Sequence, residues 1–378
     1  MKYVSKAIVF LLFFSACMAH ESAEQQQWKV LNQKAYACLK SGKLYQGVEW
    51  MEESCEYATK NFGENHPDTL TSINNLILFY VKQGRKSDIV PLYKKLITGA
   101  KVTFGDKHPF TLTSIERLAN LYISLGNLNE AAQRYEELLE IKTNALGKDH
   151  PHILKILINL AALHSGLKHM DHAESFYLKI INFKPSIQKN HPEIIKARLN
   201  ARADLARMYE SIDQPELAEK QYQYLYQYYS QTEGEQHDAT LRSLQDLAQH
   251  YSLNKNDPKA LNLFEKGYEI CKANRKDTDP IYFVFQKNRA ILYIRLNKGA
   301  AAEQPIQKAY EKSVDLYGQT DANTIMLLYY IGIQHEKMGR TQQAKECLER
   351  ALDQSRSIFG PSHLLTETID SHLRMKNK

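Results

Sequence analysis

Past its first 19 residues, the 378-residue sequence has no apolar run able to cross a bilayer. The longest, IMLLYYIGI at 325–333, falls far short of the ~20 residues a spanning helix needs. The chain also lacks a Gly-rich phosphate loop, an H-E-x-x-H, a G-x-S-x-G and a C-x-x-C. Those absences remove the nucleotide-binding, zinc-protease, serine-hydrolase and dithiol classes that such motifs mark. The net charge of +6 is not gathered into a Lys/Arg stripe with interleaved aromatics, so nucleic acid is not an expected partner. Cysteine is sparse: Cys17, Cys38, Cys55, Cys271 and Cys347, without framework spacing. Cys38 and Cys55 fall on the two arms of one predicted helical hairpin. They are ~12 Å out of register by helical rise, so no disulfide is expected there. Nothing in these residues implies catalysis, a cofactor or a metal.

The N-terminus is of another kind. MKYVSK is basic, AIVFLLFF is a compact apolar run, and SACMAHE brings small residues before a polar stretch. That three-part layout is expected of a secretory signal over residues 1–19. Two cleavage sites compete. One follows Ala19; the other precedes Cys17, because Phe14-Ser15-Ala16-Cys17 resembles a bacterial lipobox with Phe in place of Leu. Lipidation at Cys17 would give the chain its one membrane contact. The expected location is therefore outside the cytoplasm, as a periplasmic protein (free or lipid-anchored) or a secreted one.

What is abundant is repetition. FGENHPDTL at 62–70, FGDKHPFTL at 104–112 and LGKDHPHIL at 146–154 place Gly63, Gly105 and Gly147 at intervals of 42. YGQTDANTI and FGPSHLLTE restate the phrase, with Gly318 and Gly360 again 42 apart. A fixed period of this size marks a stack of like units, each burying its core against its neighbours. A phrase that recurs in this way is punctuation rather than a catalytic centre. Gly63, Gly105 and Gly147 are expected to end helices in the left-handed conformation. Pro67, Pro109 and Pro151 fit the first turn of the next helix, and His66, His108 and His150 are expected as exposed, extended linkers.

Between joints the pattern is two helices. In LANLYISLGNLNEAAQRYEELLEIKTNALG, 118–147, Leu118, Ala119, Tyr122 and Leu125 share a face, Gly126 breaks the run, and Ala131, Tyr135 and Leu138 mark a second face. The first-helix aromatic recurs as Tyr80, Tyr122, Tyr209, Tyr251 and Tyr293, with His164 and His335 standing in. Small residues lie three positions before it, at Ala119, Ala161, Ala206, Ala248, Ala290 and Gly332. A small side chain lets two backbones approach, and an aromatic from the partner fills the remaining volume. With a worn copy at Ala35, Cys38, Gly42, Gly47 and Met51, about eight pairs are expected.

This pattern resembles the tetratricopeptide repeat. The 42-residue period, the G-x-x-H-P joint, VPLYKKL at 90–96 and INNL at 73–76 look like the repeats of kinesin light chains and their bacterial relatives. The resemblance implies an all-α, right-handed superhelical solenoid. Its expected parts are a degenerate repeat over 20–61, an array over 62–360 and a capping helix over 361–378, where Leu364, Leu365, Ile369 and Leu373 form one stripe. Two departures stand out. Repeat four ends at Lys184-Pro185 and is followed by a 45-residue step, and KDTDPIYF at 276–283 replaces a joint.

The same resemblance implies a non-catalytic adaptor that takes a protein or peptide segment in a concave groove lined by first helices. The positions that would face it are Thr71, Asn75, Thr113, Arg117, Asn120, Lys155, Asn159, Asn200, Asp204, Arg207, Arg242, Asp246, Asn288 and Tyr330. Asn carries both a donor and an acceptor, which suits pairing with a peptide backbone. Val284, Met326, Tyr329, Tyr330 and Ile333 would make the far end apolar and aromatic. In YQYLYQYYSQ, 222–231, Tyr222 and Leu225 take core slots, leaving Tyr224 and Tyr228 as exposed contacts. His169, Asp171 and His172 are ligand types, but His164 occupies the tyrosine slot and is expected to face elsewhere, so no metal site is assigned. Two other roles remain open: an assembly subunit using the convex face or ends, and a secreted factor acting on another cell.

Overall fold

The computed structural model describes residues 22–185, 191–275 and 279–376, and all regular structure among them is helical, with 17 helices and no strand. The expected leader and Cys17 lie outside these residues. No described helix is long and apolar enough to cross a membrane. The chain divides into two compact units between Ile194 and Ile195, beside the 45-residue step.

The first unit holds four helix pairs: α1 (Ala23–Lys40) with α2 (Leu44–Phe62), α3 (Pro67–Gln83) with α4 (Lys86–Phe104), α5 (Pro109–Ser124) with α6 (Leu128–Leu146), and α7 (Pro151–Gly166) with α8 (Met170–Ile181). The second begins with α9 (Pro192–Ser211) and α10 (Pro215–Thr232), then α11 (Asp238–Leu253) and α12 (Asp257–Asn274). It continues through α13 (Pro280–Arg295), α14 (Ala300–Tyr317), α15 (Ala322–Lys337) and α16 (Thr341–Phe359) to a last helix, α17 (Leu364–Lys376). Within each unit, helices adjacent in sequence pack against one another, α9 and α10 meeting through the Arg202–Gln221 and Tyr222–Glu210 hydrogen bonds.

One hydrogen bond closes every hairpin. The carbonyl of the aromatic-slot residue accepts the N–H five residues on: Tyr80 from Arg85 at 3.1 Å, Tyr122 from Asn127 at 2.9 Å, His164 from His169 at 2.9 Å and Tyr251 from Asn256 at 2.8 Å. The residue before that N–H has positive φ in all eight hairpins, namely Gly42, Gly84, Gly126, Lys168, Asp213, Lys255, Asn297 and Gly339. This is the helix-ending geometry that favours glycine. Four hairpins adopt it without one.

The joint glycines correct an expectation. Gly63 (φ 93°, ψ 162°), Gly105 (88°, 164°) and Gly147 (85°, 154°) are not left-handed helical but extended at positive φ, a region that is almost exclusively glycine's. The chain therefore leaves the second helix in an extended conformation. The Thr69 and Thr111 hydroxyls then donate back to the Gly63 and Gly105 carbonyls at 2.8 and 2.9 Å. The histidines are more than linkers. Nδ1 of His66, His108 and His150 accepts the N–H two residues on, each at 3.2 Å, and so caps α3, α5 and α7. Phe62 and Phe104 lie against those rings, with centroids 5.1 and 4.8 Å apart. At the two joints that lack His, Asp279 caps α13 through the Ile281 N–H at 2.9 Å and Asp321 caps α15 through the Asn323 N–H at 2.8 Å.

The alanine slots are closed as the packing argument requires: Ala119, Ala161, Ala206, Ala248 and Ala290 are fully buried, as are Ala131, Ala173, Ala218, Ala260 and Ala302. On α17, Leu365, Ile369 and Leu373 pack into the terminal cluster, but Leu364 is 76% exposed. Thr366 is buried instead, hydrogen-bonded to Ser355 at 2.6 Å. The helix starts at Leu364, which places that side chain before the buried stripe.

Two substitutions test these backbone constraints through the midpoint of urea unfolding. Lys255→Gly relieves a side chain held at φ 59°, and stability should rise by about 0.5–1 kcal/mol after the cost of glycine's greater freedom. Gly267→Ala should lower it by about 1–3 kcal/mol, because a Cβ there would come within 2.1 Å of the fully buried Phe285 ring.

Candidate protein-binding surface

The first helices of each pair touch one another through side chains one repeat apart. In the first unit, Arg117 on α5 donates to Asn74 Oδ1 on α3 at 3.3 Å, and Lys155 on α7 reaches Glu116 on α5 at 3.0 Å. In the second, Lys287 on α13 donates to Asn323 Oδ1 at the start of α15 at 2.7 Å. The polar positions along these faces therefore serve two purposes, and the structure separates them.

In the first unit most of them are committed internally. Thr71 donates to the Pro67 carbonyl at 2.8 Å. Arg117, besides Asn74, approaches the Tyr93 hydroxyl. Asn120 Oδ1 accepts from the Tyr135 hydroxyl at 2.7 Å, and Asn159 reaches the same hydroxyl. Tyr135 is 1% exposed, and burial, with Glu116 nearby, pushes it up to about 12. Against the upward push of burial, Lys155 and Lys142 hold the Glu116 carboxyl below its ordinary value. Asn75 and Thr113 have no side-chain hydrogen bond among the described residues.

The second unit brings several candidate residues into one place. Asn200 on α9 and Arg242 and Asp246 on α11 line a cleft of about 700 Å³. Tyr229, Gln236 and Arg275 complete its walls, and an adjoining cleft of about 620 Å³ shares Arg242 and Arg275. Arg275 is pinned by Asp238 at 2.6 Å, Asp279 at 2.8 Å and the Gln236 carbonyl at 2.7 Å. Asn200 and Arg242 have no hydrogen bond or ion pair among the described residues. Desolvation raises Asp246 above the ordinary aspartate value, with Arg207 and Arg242 pulling it down. Asp204 and Arg207 pair with each other at 2.5 Å, and Asn288 is half-buried without a hydrogen bond among the described residues. Neither Tyr229 nor Arg275 was expected here. The opposite charges of Arg275 and Asp279, four residues apart in sequence, were the available signal.

The expected apolar end is largely core. Tyr329 is 9% exposed, and Met326, Tyr330 and Ile333 pack against the clusters around Leu327 and Leu328. Tyr330 lies edge-on to Tyr329, with ring centres 5.3 Å apart, and burial raises its hydroxyl pKa. Val284 is half-buried. Through these side chains α15 packs against its neighbours on both sides. Tyr222 and Leu225 are buried as expected, while Tyr224 is 44% exposed, stacked on Tyr228 and covered by the Arg202 guanidinium at 3.7 Å.

A second lock lies between pairs. The Tyr80 hydroxyl donates to Glu52 and that of Tyr293 to Glu265, each at 2.5 Å, and His164 Nε2 meets Glu136 at 3.2 Å. In each case the acid stands 28 residues earlier, on the second helix of the preceding pair. This recurrence of aromatic slot, small-residue slot and joint can be matched directly. Residues 72–144, 111–186 and 197–273 match one tetratricopeptide repeat model, and 331–357 match a second. The chain belongs to the tetratricopeptide repeat family. Such repeats are generally non-catalytic scaffolds for protein–protein interaction.

No curated protein matches the chain by sequence. Among solved structures, the tetratricopeptide array is similar to a kinesin light chain with nearly identical repeats from Podosopora anserina (25% identity, 56% of this chain, 99% of that one, TM-score 0.43). It is similar also to the C-terminal part of a repeat-containing protein from Cytophaga hutchinsonii (14%, 78%, 98%, TM-score 0.50). A third similar structure is the apo form of RapI (10%, 93%, 99%, TM-score 0.50).

The tyrosine locks have a pH signature. Burial and the Glu52 and Glu265 acceptors push Tyr80 and Tyr293 up to about 12, from an ordinary 10.0. A raised tyrosine keeps its proton in the folded state, so its contribution is complete below about pH 10 and is lost as pH rises towards about 12. Melting temperature should fall across that window, and the fall should be shallower in the Tyr80→Phe, Tyr293→Phe double variant.

Proposed function

We propose that this chain is an exported adaptor that holds an extended segment of a partner protein along the faces of its first helices. The observation that carries the proposal is the cleft of the second unit. There Asn200 and Arg242 have no internal bonding partner among the described residues and share the walls with Asp246 and Tyr229. An amide and a guanidinium left unpaired in a cleft can bind a peptide backbone or a partner carboxylate without first breaking a bond within the protein. The faces of the first unit are mostly self-satisfied, which puts the principal contact in the second. The leader over residues 1–19 supports export and, through Cys17, a tethered form.

A photo-crosslinking residue at position 200, used in the native cell with mass spectrometry of the adduct, tests both parts. A discrete heterologous adduct in the exported fraction is expected. Arg242→Ala should weaken binding about tenfold, equivalent to one charge-assisted hydrogen bond of about 1.5 kcal/mol, with the helical circular dichroism unchanged. Self-adducts alone, or capture only from probes on second helices, would replace the proposal with an assembly role. Asn159 is a poor test site, because its side chain also supports Tyr135.

A further inference from the structure

Two side chains on α11 carry opposite charges and do not bind each other. Arg242 and Asp246 stand one helical turn apart, and both line the cleft of about 700 Å³ in the second unit. Side chains so placed commonly close an ion pair on a helix surface. Asp204 and Arg207, three apart on α9, do so at 2.5 Å. Arg242 lowers the pKa of Asp246 through space, but neither has a hydrogen bond or ion pair among the described residues. The order of the residues explains the difference. An acid N-terminal to a base is the favourable arrangement along a helix, and here the base comes first.

Both side chains are accessible to solvent. The protein around Asp246 nevertheless desolvates its carboxyl enough to raise the pKa, against the pull of Arg207 and Arg242. A carboxylate in that state gains from a cation brought to it, and Arg207 is already bound to Asp204. The rest of the lining does not favour one sign of charge strongly. Arg275 is held by both Asp238 and Asp279, which leaves that trio with one negative charge in excess. A purely acidic segment would meet this excess and Asp246. A purely basic one would meet Arg242.

We infer, resting on the adaptor reading of this cleft, that it takes an extended segment with one acidic and one basic side chain two residues apart. The acid pairs with Arg242 and the base with Asp246. The spacing follows from geometry. Side chains four apart on one helix face have Cβ atoms about 5–6 Å apart. In an extended segment, residues two apart share a face at about 6.6 Å, immediate neighbours point oppositely, and residues four apart are about 13 Å apart. Asn200 of α9, in the same lining, offers a donor and an acceptor to the segment's backbone. Leu199, Ala203 and Leu225 give the lining an apolar part that suits the methylene stem of a lysine or arginine. Which charge comes first depends only on the direction in which the segment runs.

A display library of random dodecapeptides supplies the probe, selected on the full chain and counter-selected on the Arg242→Ala, Asp246→Ala double variant. Peptides with an acid and a base two residues apart are expected to be enriched. In the tightest of them, replacing the acid or the base by Ala should each weaken binding about tenfold, as for one charge-assisted hydrogen bond. The loss from the acid should vanish in Arg242→Ala and the loss from the base in Asp246→Asn, a coupling that a merely structural role for either side chain would not produce. Both are surface changes, and helical circular dichroism should stay the same. Enrichment of purely acidic or purely basic peptides would overturn the charge pairing and leave the cleft as a binding site. So would a base whose removal costs as much in Asp246→Asn as in the unaltered chain. If no peptide distinguishes the unaltered chain from the double variant, the cleft reading itself fails, and the pairing with it.

Discussion

One side chain per repeat, the aromatic in the first-helix slot, governs the architecture. Its carbonyl closes the hairpin that follows, as Tyr80 does for Arg85. Its ring packs in a close approach that only alanine or glycine permits. Its polar end, where an acid is available, ties back to the preceding pair, as Tyr80 does to Glu52. A residue that takes part in three contacts at once fixes the register of three helices. This is why the period is preserved while most surface positions vary.

The joints work by a complementary logic. A second helix must end and a first helix must begin within four residues, leaving orphan N–H and C=O groups on both sides. The phrase FGDKHPFTL supplies one solution for each of them. Gly105 takes an extended positive-φ conformation, Thr111 answers its carbonyl, His108 caps the next helix and Pro109 occupies a position that needs no N–H. Where Asp279 replaces histidine, the cap survives because the carboxylate is an equally good acceptor. The joint is defined by bonding roles, and residue identity follows from them.

Function is confined to what these locks leave over. Much of the face of the first helices is polar, yet Arg117, Asn120, Lys155 and Asn159 are engaged within the fold. Asn200 and Arg242 line a cleft without internal partners among the described residues. At His164 a histidine in the tyrosine's place keeps the contact to Glu136 and leaves Nδ1 without a hydrogen-bond partner among the described residues.

The sequence by itself determined the helix pairs, their period, the core slots and the joints, because these rest on local spacing: 3.6 residues per turn, a small residue three before an aromatic, a proline after a capping residue. It also identified which helix face is polar. It could not separate bonded from free residues on that face, since the partner of Arg117 is Asn74, a repeat away on another helix. Nor could it foresee that Tyr329 would turn into the terminal core, or that Arg275 would be pinned at a cleft by Asp238. The closeness of the His164, His169 and His172 rings depends on the angle at which α7 and α8 meet. Tertiary packing alone sets that angle, because side chains on two helices come together only when backbone approach and rotamer are fixed jointly.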